Sequence, residues 1–372
     1  MAERTIPPYR ADHVGSLLRP AELLHAREQH AAGQLSAEQL RAAEDDAIRG
    51  VVKMQEDVGL QSVTDGELRR ASWHMDFIYQ LGGVKKVQEN LTVKFRNDSG
   101  TIEFTPAASR VSAKLHLDHT IFADDFTFLR SAVTSATAKL TIPSPSMVHY
   151  RGGRSMIDDT VYPDMDGFWA DLSAVYAEQI SRIAAAGCTY LQLDDTSLAY
   201  LNDPEQRAMM AGRGEDAEHQ HERYIRQINA ALAGRPAGLN VTTHMCRGNF
   251  RSSWAAEGGY DFVAEALFNG LDVDGFFLEY DDERSGGFEP LRFVPAGKTV
   301  VLGLVTTKTG ALESKDELKR RVEEASRFVS LDQLCLSPQC GFSSTLEGNS
   351  LTHDEQRAKL RLVVETAQEI WG

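Results

Sequence analysis

Eight short apolar or β-branched runs, alternating with longer helical patterns along 372 residues, constrain this chain more than any other feature. They cover residues 12–16, 60–65, 138–142, 190–195, 238–244, 275–279, 299–304 and 333–337. Between them, Phe168, Leu172, Val175, Tyr176, Ile180 and Ile183 recur at helical spacing and stop at Gly187, a natural helix end. Ser36 with Glu38, and Thr352 with Glu355, read as capping boxes that start two further helices. Helical patterns also cover 313–328 and 354–370, where Leu360, Val363, Ala367 and Ile370 share one face.

Strand-helix alternation of this kind suits either a closed barrel or a doubly wound open sheet. The polar residues decide between them. Ser16, Asp65, Asp194, His244, Glu279 and Cys340 fall at or just beyond the C-terminal ends of six of the runs. A barrel gathers those ends around one mouth, whereas an open sheet spreads them along a crevice. The expectation is therefore α/β: a (β/α)8 TIM barrel forming one catalytic domain over 1–372. The rhythm breaks at about 82–120. There Leu91, Val93 and Phe95, then Ile102 and Phe104, alternate around Asn97-Asp98-Ser99-Gly100. That pattern predicts a β-hairpin inserted after the second strand, serving as a lid or as a contact surface. The polar stretch 202–222 reads as a loop leading into a helix.

His244-x-Cys246, Glu279 and Cys340 form a metal-ligand pattern. In an extended segment residues i and i+2 face the same way, so His244 and Cys246 can share one ion. A carboxylate ending the apolar run 275–279 costs desolvation unless it meets a cation or a donor. The plainer alternative makes Cys246 and Cys340 small buried hydrophobes and His244 a hydrogen-bonded core residue. Cys188 and Cys335 are assigned to packing. Structural zinc favours compact loops, and these ligands are widely separated. The expectation is a catalytic Zn2+ that binds a substrate thiol, lowers its pKa and keeps it nucleophilic.

These residues carry a resemblance. His13-Val-Gly-Ser16, Asp65-Gly-Glu67, Leu191-Gln-Leu-Asp-Asp195, His244-Met-Cys246, Phe277-Leu-Glu279, Val301-Leu-Gly303 and Pro338-Gln-Cys-Gly341 occur in order along nearly the whole chain. Together they are similar to the catalytic C-terminal barrel of the cobalamin-independent methionine synthase family. The resemblance implies zinc-dependent methyl transfer to homocysteine, giving methionine. It implies zinc ligation by His244, Cys246, Glu279 and Cys340. It also implies that Gly15 and Ser16 hold the amino acid's carboxylate, and that Glu67 and Asp194 receive its ammonium group.

Two departures stand out. The full-length enzymes of that family carry a second, N-terminal barrel associated with the folate donor, and this chain is long enough for one. It resembles the short, single-barrel branch, whose methyl donor need not be a polyglutamylated folate; the candidates are a methylfolate with a short glutamate tail, a methylcorrinoid carried by a partner protein, or another methylated metabolite. The family's proton-donor histidine after the seventh strand is also replaced: Lys308 stands about there. Lys308 and Asp194 are the expected catalytic groups.

The remaining expectations are exclusions and alternatives. A net charge of −15 argues against nucleic acid or an anionic membrane as partner. The N-terminus has charges and prolines where a signal peptide needs an apolar run, and no apolar window is long enough to span a bilayer. Four cysteines suit a reducing cytoplasm. The rival enzyme reading is a zinc-dependent alkyltransferase joining an epoxide to coenzyme M, a thiol whose sulfonate needs a cationic receptor. A third is a non-catalytic zinc-binding barrel. Homodimer formation through the insertion or the outer helices is left open.

Overall fold

The structure, a computed structural model, describes residues 4–88, 93–97, 100–104 and 108–372. Its strands are β1 (Ser62–Val63), β2 (Gly82–Val87), β3 (Val93–Asn97), β4 (Gly100–Phe104), β5 (Ala108–His116), β6 (Thr137–Pro143), β7 (Tyr190–Asp195), β8 (Asn240–Met245), β9 (Gly275–Glu279), β10 (Thr299–Val305) and β11 (Leu334–Pro338). Seven form one parallel sheet in the order β1-β6-β7-β8-β9-β10-β11. Every residue of β7, β9, β10 and β11 is buried, which explains why these strands read as continuous apolar runs.

The sheet is curled, and Asp12 draws its two edges together. On one side the Asp12 amide donates to Leu336 O of β11 at 3.0 Å, and Leu336 N donates to Arg10 O at 2.9 Å. On the other side Ser62 Oγ of β1 donates to Asp12 Oδ1 at 2.8 Å. Tyr190 Oη and Lys139 Nζ reach the same carboxylate from β7 and β6, at 2.9 and 3.3 Å.

The segment 12–16 is not the regular strand expected of it; the nearest bridge, Ala11 to Leu336, falls just before it. Asp12 occupies the nearby amides of Tyr9 and His13 with its own carboxylate, at 3.2 and 2.8 Å, in place of a ladder. The run 60–65 shrinks to two residues for a similar reason. Both backbone groups of Thr64 are taken by the Gln55 side-chain amide, at 3.0 and 2.9 Å. Other strands keep their expected positions to within a residue or two.

Helix Ala37–Asp57 begins with a capping box closed by Gln39, three residues after Ser36, rather than by Glu38. The box at Thr352 and Glu355 forms as expected and starts helix His353–Trp371. Helix Met165–Ala185 buries Phe168, Leu172, Val175, Tyr176, Ile180 and Ile183. The stretch 202–222 contains a helix, Pro204–Gly212, because Asp203 caps Glu205 N and proline sits in the first turn. No helix among the described residues is long and apolar enough to cross a membrane.

Between β1 and β6, β2 pairs antiparallel with β5, and β3 pairs antiparallel with β4. Leu91, Asp98 and Ser99 lie outside the described residues. Strand β3 is tied to the loop after β8: Arg96 N donates to Trp254 O at 2.7 Å and Trp254 N to Arg96 O at 2.9 Å. Phe95 packs on Phe250 with ring centroids 5.3 Å apart.

Candidate metal centre and active site

Four of the predicted side chains meet. His244, Cys246, Glu279 and Cys340 are all buried, and one donor atom from each lies within 4.8 Å of the others. They arrive from the C-terminal ends of three strands. His244 is in β8, with Cys246 one residue past its end; Glu279 closes β9; Cys340 follows β11 by two residues. Cys246 Sγ and Cys340 Sγ are 3.5 Å apart, and both cysteines are free. Gly248 N donates to Cys246 Sγ at 3.3 Å. Glu279 Oε1 accepts from Arg247 N at 2.9 Å, while the fully buried Oε2 has no partner.

The electrostatics suit a cation. The hydrogen bond between the two sulfurs raises the Cys246 thiol well above its ordinary pKa, and burial adds to this. The same bond holds Cys340 below its usual value. Burial works against a charged His244, yet Asp194 and the Cys340 sulfur outweigh it and push the imidazole up to about 9. Protons are thus held among buried acidic groups that a soft divalent cation would take over. With an orphaned carboxylate oxygen and two neighbouring sulfurs, the donor set fits a metal ion.

The cluster opens on a cavity of about 270 Å3, which Ser16, Glu67 and Asp194 also line. Asp194 pairs in register with His244 across β7 and β8, and its Oδ1 is 3.5 Å from His244 Nδ1. Glu67 sits at φ 57, an uncommon backbone conformation for a non-glycine residue, on the turn after β1. Its Oε1 accepts from Thr141 Oγ1 at 2.8 Å and lies 3.5 Å from Arg70 Nη1, while Oε2 is buried without a partner. Burial pushes the Glu67 carboxyl up to about 7; Arg70 opposes this and Asp194 reinforces it.

Two glycines permit close approaches. Gly15, at φ +146, would bring a Cβ within 2.8 Å of Thr141 Cγ2 and 3.5 Å of Glu67 Oε1. A Cβ on Gly341 would stand 1.9 Å from Ser16 Oγ. Ser16 is therefore wedged against the residue that follows Cys340.

Lys308 is buried, and its Nζ has no hydrogen-bond partner. It is not among the residues lining the cavity, although its charge reaches Cys340. Arg70 is buried against Glu67 and Thr141.

Several contributors were not anticipated. Arg247 is fully buried; it donates to Glu279 O at 2.8 Å and Gly258 O at 2.7 Å, so it braces the strand end that presents Glu279. Its adjacency to His244-x-Cys246 was the available signal. Arg151, His74 and Tyr200 also line the cavity, and no spacing pattern pointed to them.

Fold and site together define a curled parallel α/β protein with a buried, cavity-facing cluster of candidate metal ligands at its strand ends. The chain belongs to the cobalamin-independent methionine synthase family, a family of methyltransferases: the sequence model of the cobalamin-independent synthase catalytic domain matches residues 10–369. It is 48% identical to the uncharacterised protein YxjG of Bacillus subtilis strain 168 over 99% of this chain and 96% of that one. It is 23% identical to a methionine synthase of Pyrococcus abyssi over 88% of this chain and 84% of that one. A solved structure from Listeria monocytogenes, described as a candidate vitamin-B12-independent methionine synthase, is 38% identical with a TM-score of 0.79, covering 99% of this chain and 100% of that one.

Proposed function

We propose that this chain is a zinc-dependent methyltransferase that moves a methyl group to the thiol of homocysteine, giving methionine. The observation that carries the reading is the meeting, in one cavity, of the His244, Cys246, Glu279 and Cys340 cluster with Ser16, Glu67 and Asp194. His244, Cys246, Glu279 and Cys340 would hold Zn2+. When bound, zinc lowers the pKa of a substrate thiol and leaves the thiolate nucleophilic.

The chain's own residues do the rest. Ser16 and the open backbone at Gly15 receive the amino acid's carboxylate. Glu67 and Asp194 receive its ammonium; the buried, unpartnered Oε2 of Glu67 is a ready acceptor. Asp194 also orients the His244 ring through Nδ1. In the transfer, the new S–CH3 bond forms as the donor–CH3 bond breaks, and the bonding pair leaves with the donor. Lys308 is our candidate for the proton that the departing fragment then takes: it does not line the cavity, but its Nζ is buried without a hydrogen-bond partner and its charge reaches Cys340. Coenzyme M is the weaker choice of thiol, because Glu67 and Asp194 suit homocysteine's ammonium and coenzyme M has no such group for them to receive.

We read the curled sheet as a single (β/α)8 barrel closed by the segment 10–16, the insertion as a hairpin against its mouth, and the site of action as the reducing cytoplasm. Methylfolate and a methylcorrinoid protein remain the proposed donors. The deciding experiment assays homocysteine methylation against both, with and without zinc, alongside metal analysis of Cys340→Ser. Turnover that needs zinc, and metal lost with Cys340, are expected. No turnover with either donor, or full metal occupancy in the variant, would overturn the proposal.

A further inference from the structure

The cavity lining also holds a cation with no counter-ion among the described residues. Arg151 follows helix Met147–Tyr150 at the end of β6 and lines the cavity. Its guanidinium makes no ion pair or hydrogen bond among the described residues, and its Nε is buried without a partner. Other buried arginines of this protein are engaged. Arg70 bonds Thr141, and Arg247 bonds Glu279 O and Gly258 O. A partly buried guanidinium left unpaired costs desolvation that an arriving anion would repay.

His74 supplies a second unsatisfied nitrogen on the same wall. It is buried, lines the cavity, and its Nε2 has no partner. Trp73 lies against its ring at 4.4 Å between centroids. Ser72 Oγ accepts from Met75 N at 3.4 Å, which leaves the hydroxyl proton free to donate to His74 Nδ1 at 3.2 Å. That assignment puts the ring proton on Nε2 and makes it a donor. Burial and the nearby Arg151 charge keep the ring neutral. The carboxylates on this side offer little competition. Asp76 already accepts from the amides of Ala71 and Ser72, and Glu347 is exposed to solvent.

We propose that Arg151 and His74 form an oxyanion receptor for the methyl donor, so that the donor is a molecule carrying a carboxylate or phosphate group. This rests on the reading above, in which Ser16, Glu67 and Asp194 are taken by homocysteine, leaving this receptor to the second substrate. Arg151 supplies charge and a forked donor; His74, the residue before helix Met75–Ile78, adds a single N–H.

The full-length protein tests it in two ways. In steady-state kinetics with methyltetrahydrofolate monoglutamate or methylcobalamin, Arg151→Gln should raise the donor KM about ten- to hundredfold. Arg151→Lys should have a smaller effect, and the homocysteine KM should not change. Calorimetric titration with glutarate and with inorganic phosphate should show binding to wild type that is lost in Arg151→Gln and weakened in His74→Phe. Whichever of the two binds identifies the carboxylate or the phosphate as the recognised group. An unchanged donor KM together with unchanged anion binding overturns the inference, as does a rise in the homocysteine KM instead. If no donor supports turnover, the methyltransferase reading falls, while the anion titrations still decide whether this receptor exists.

Discussion

Asp194 and His244 are register partners on adjacent strands, with Asp194 Oδ1 3.5 Å from His244 Nδ1. A carboxylate behind a ligating imidazole fixes its tautomer and raises its basicity. Asp194→Asn should therefore weaken zinc binding by about 10- to 100-fold. Competition against a chelator measures this directly, and equal affinity would remove Asp194 from that role.

Glu67 carries a pH signature. Its carboxyl is pushed up to about 7 by burial, so between about 4.5 and 7 the folded chain retains a proton that the unfolded chain has released. Folding stability from this group is therefore lost as pH rises through that window, by up to about 3 kcal/mol. Glu67→Gln removes the effect. The metal-free variant should gain stability over wild type between pH 5 and pH 8, read from urea midpoints, while losing affinity for homocysteine. A difference that stays the same at both pH values would contradict the assignment.

Gly341 and Ser16 give a steric test. With a Cβ at 341 standing 1.9 Å from Ser16 Oγ, Gly341→Ala must displace the hydroxyl. We expect a cost of about 1–3 kcal/mol and a raised homocysteine KM. Adding Ser16→Ala should recover part of the stability but none of the affinity. Denaturation and kinetics on the two variants separate these outcomes.

Lys139 and Asp12 are a fully buried ion pair at 3.3 Å. Lys139→Met leaves Asp12 charged inside the curled sheet, and breaking such a pair costs about 3–5 kcal/mol. Chemical denaturation of the variant should show a loss of that size; a loss below about 1 kcal/mol would mean that the donors from Ser62 and Tyr190 suffice.

The legible parts of this chain were those with local signatures. Strands buried on both faces, such as β9 and β10, show as unbroken apolar runs, and the box at Thr352 and Glu355 marks a helix start. The cluster of candidate metal ligands was legible because cysteine, histidine and glutamate at strand ends are chemically conspicuous. Arg151 and His74 were not, since an arginine or a histidine on a loop looks the same whether solvated or facing a cavity. Arg247 was hidden likewise: its bonds to Glu279 O and Gly258 O join segments that no spacing rule connects.

By itself the sequence determined the alternation of strands and helices, because apolar periodicity is a local property of the chain. It also determined which residues could ligate a metal, because that depends on side-chain chemistry. Only the tertiary structure decided that segment 12–16 would lie at the sheet's edge outside any ladder, just after the bridge at Ala11. There the Asp12 carboxylate collects donors from β1, β6 and β7, and no local pattern encodes contacts at such separations. The tertiary structure alone also decided that Arg151 would face the cavity without a counter-ion, because a charge is paired or unpaired according to what folding brings beside it.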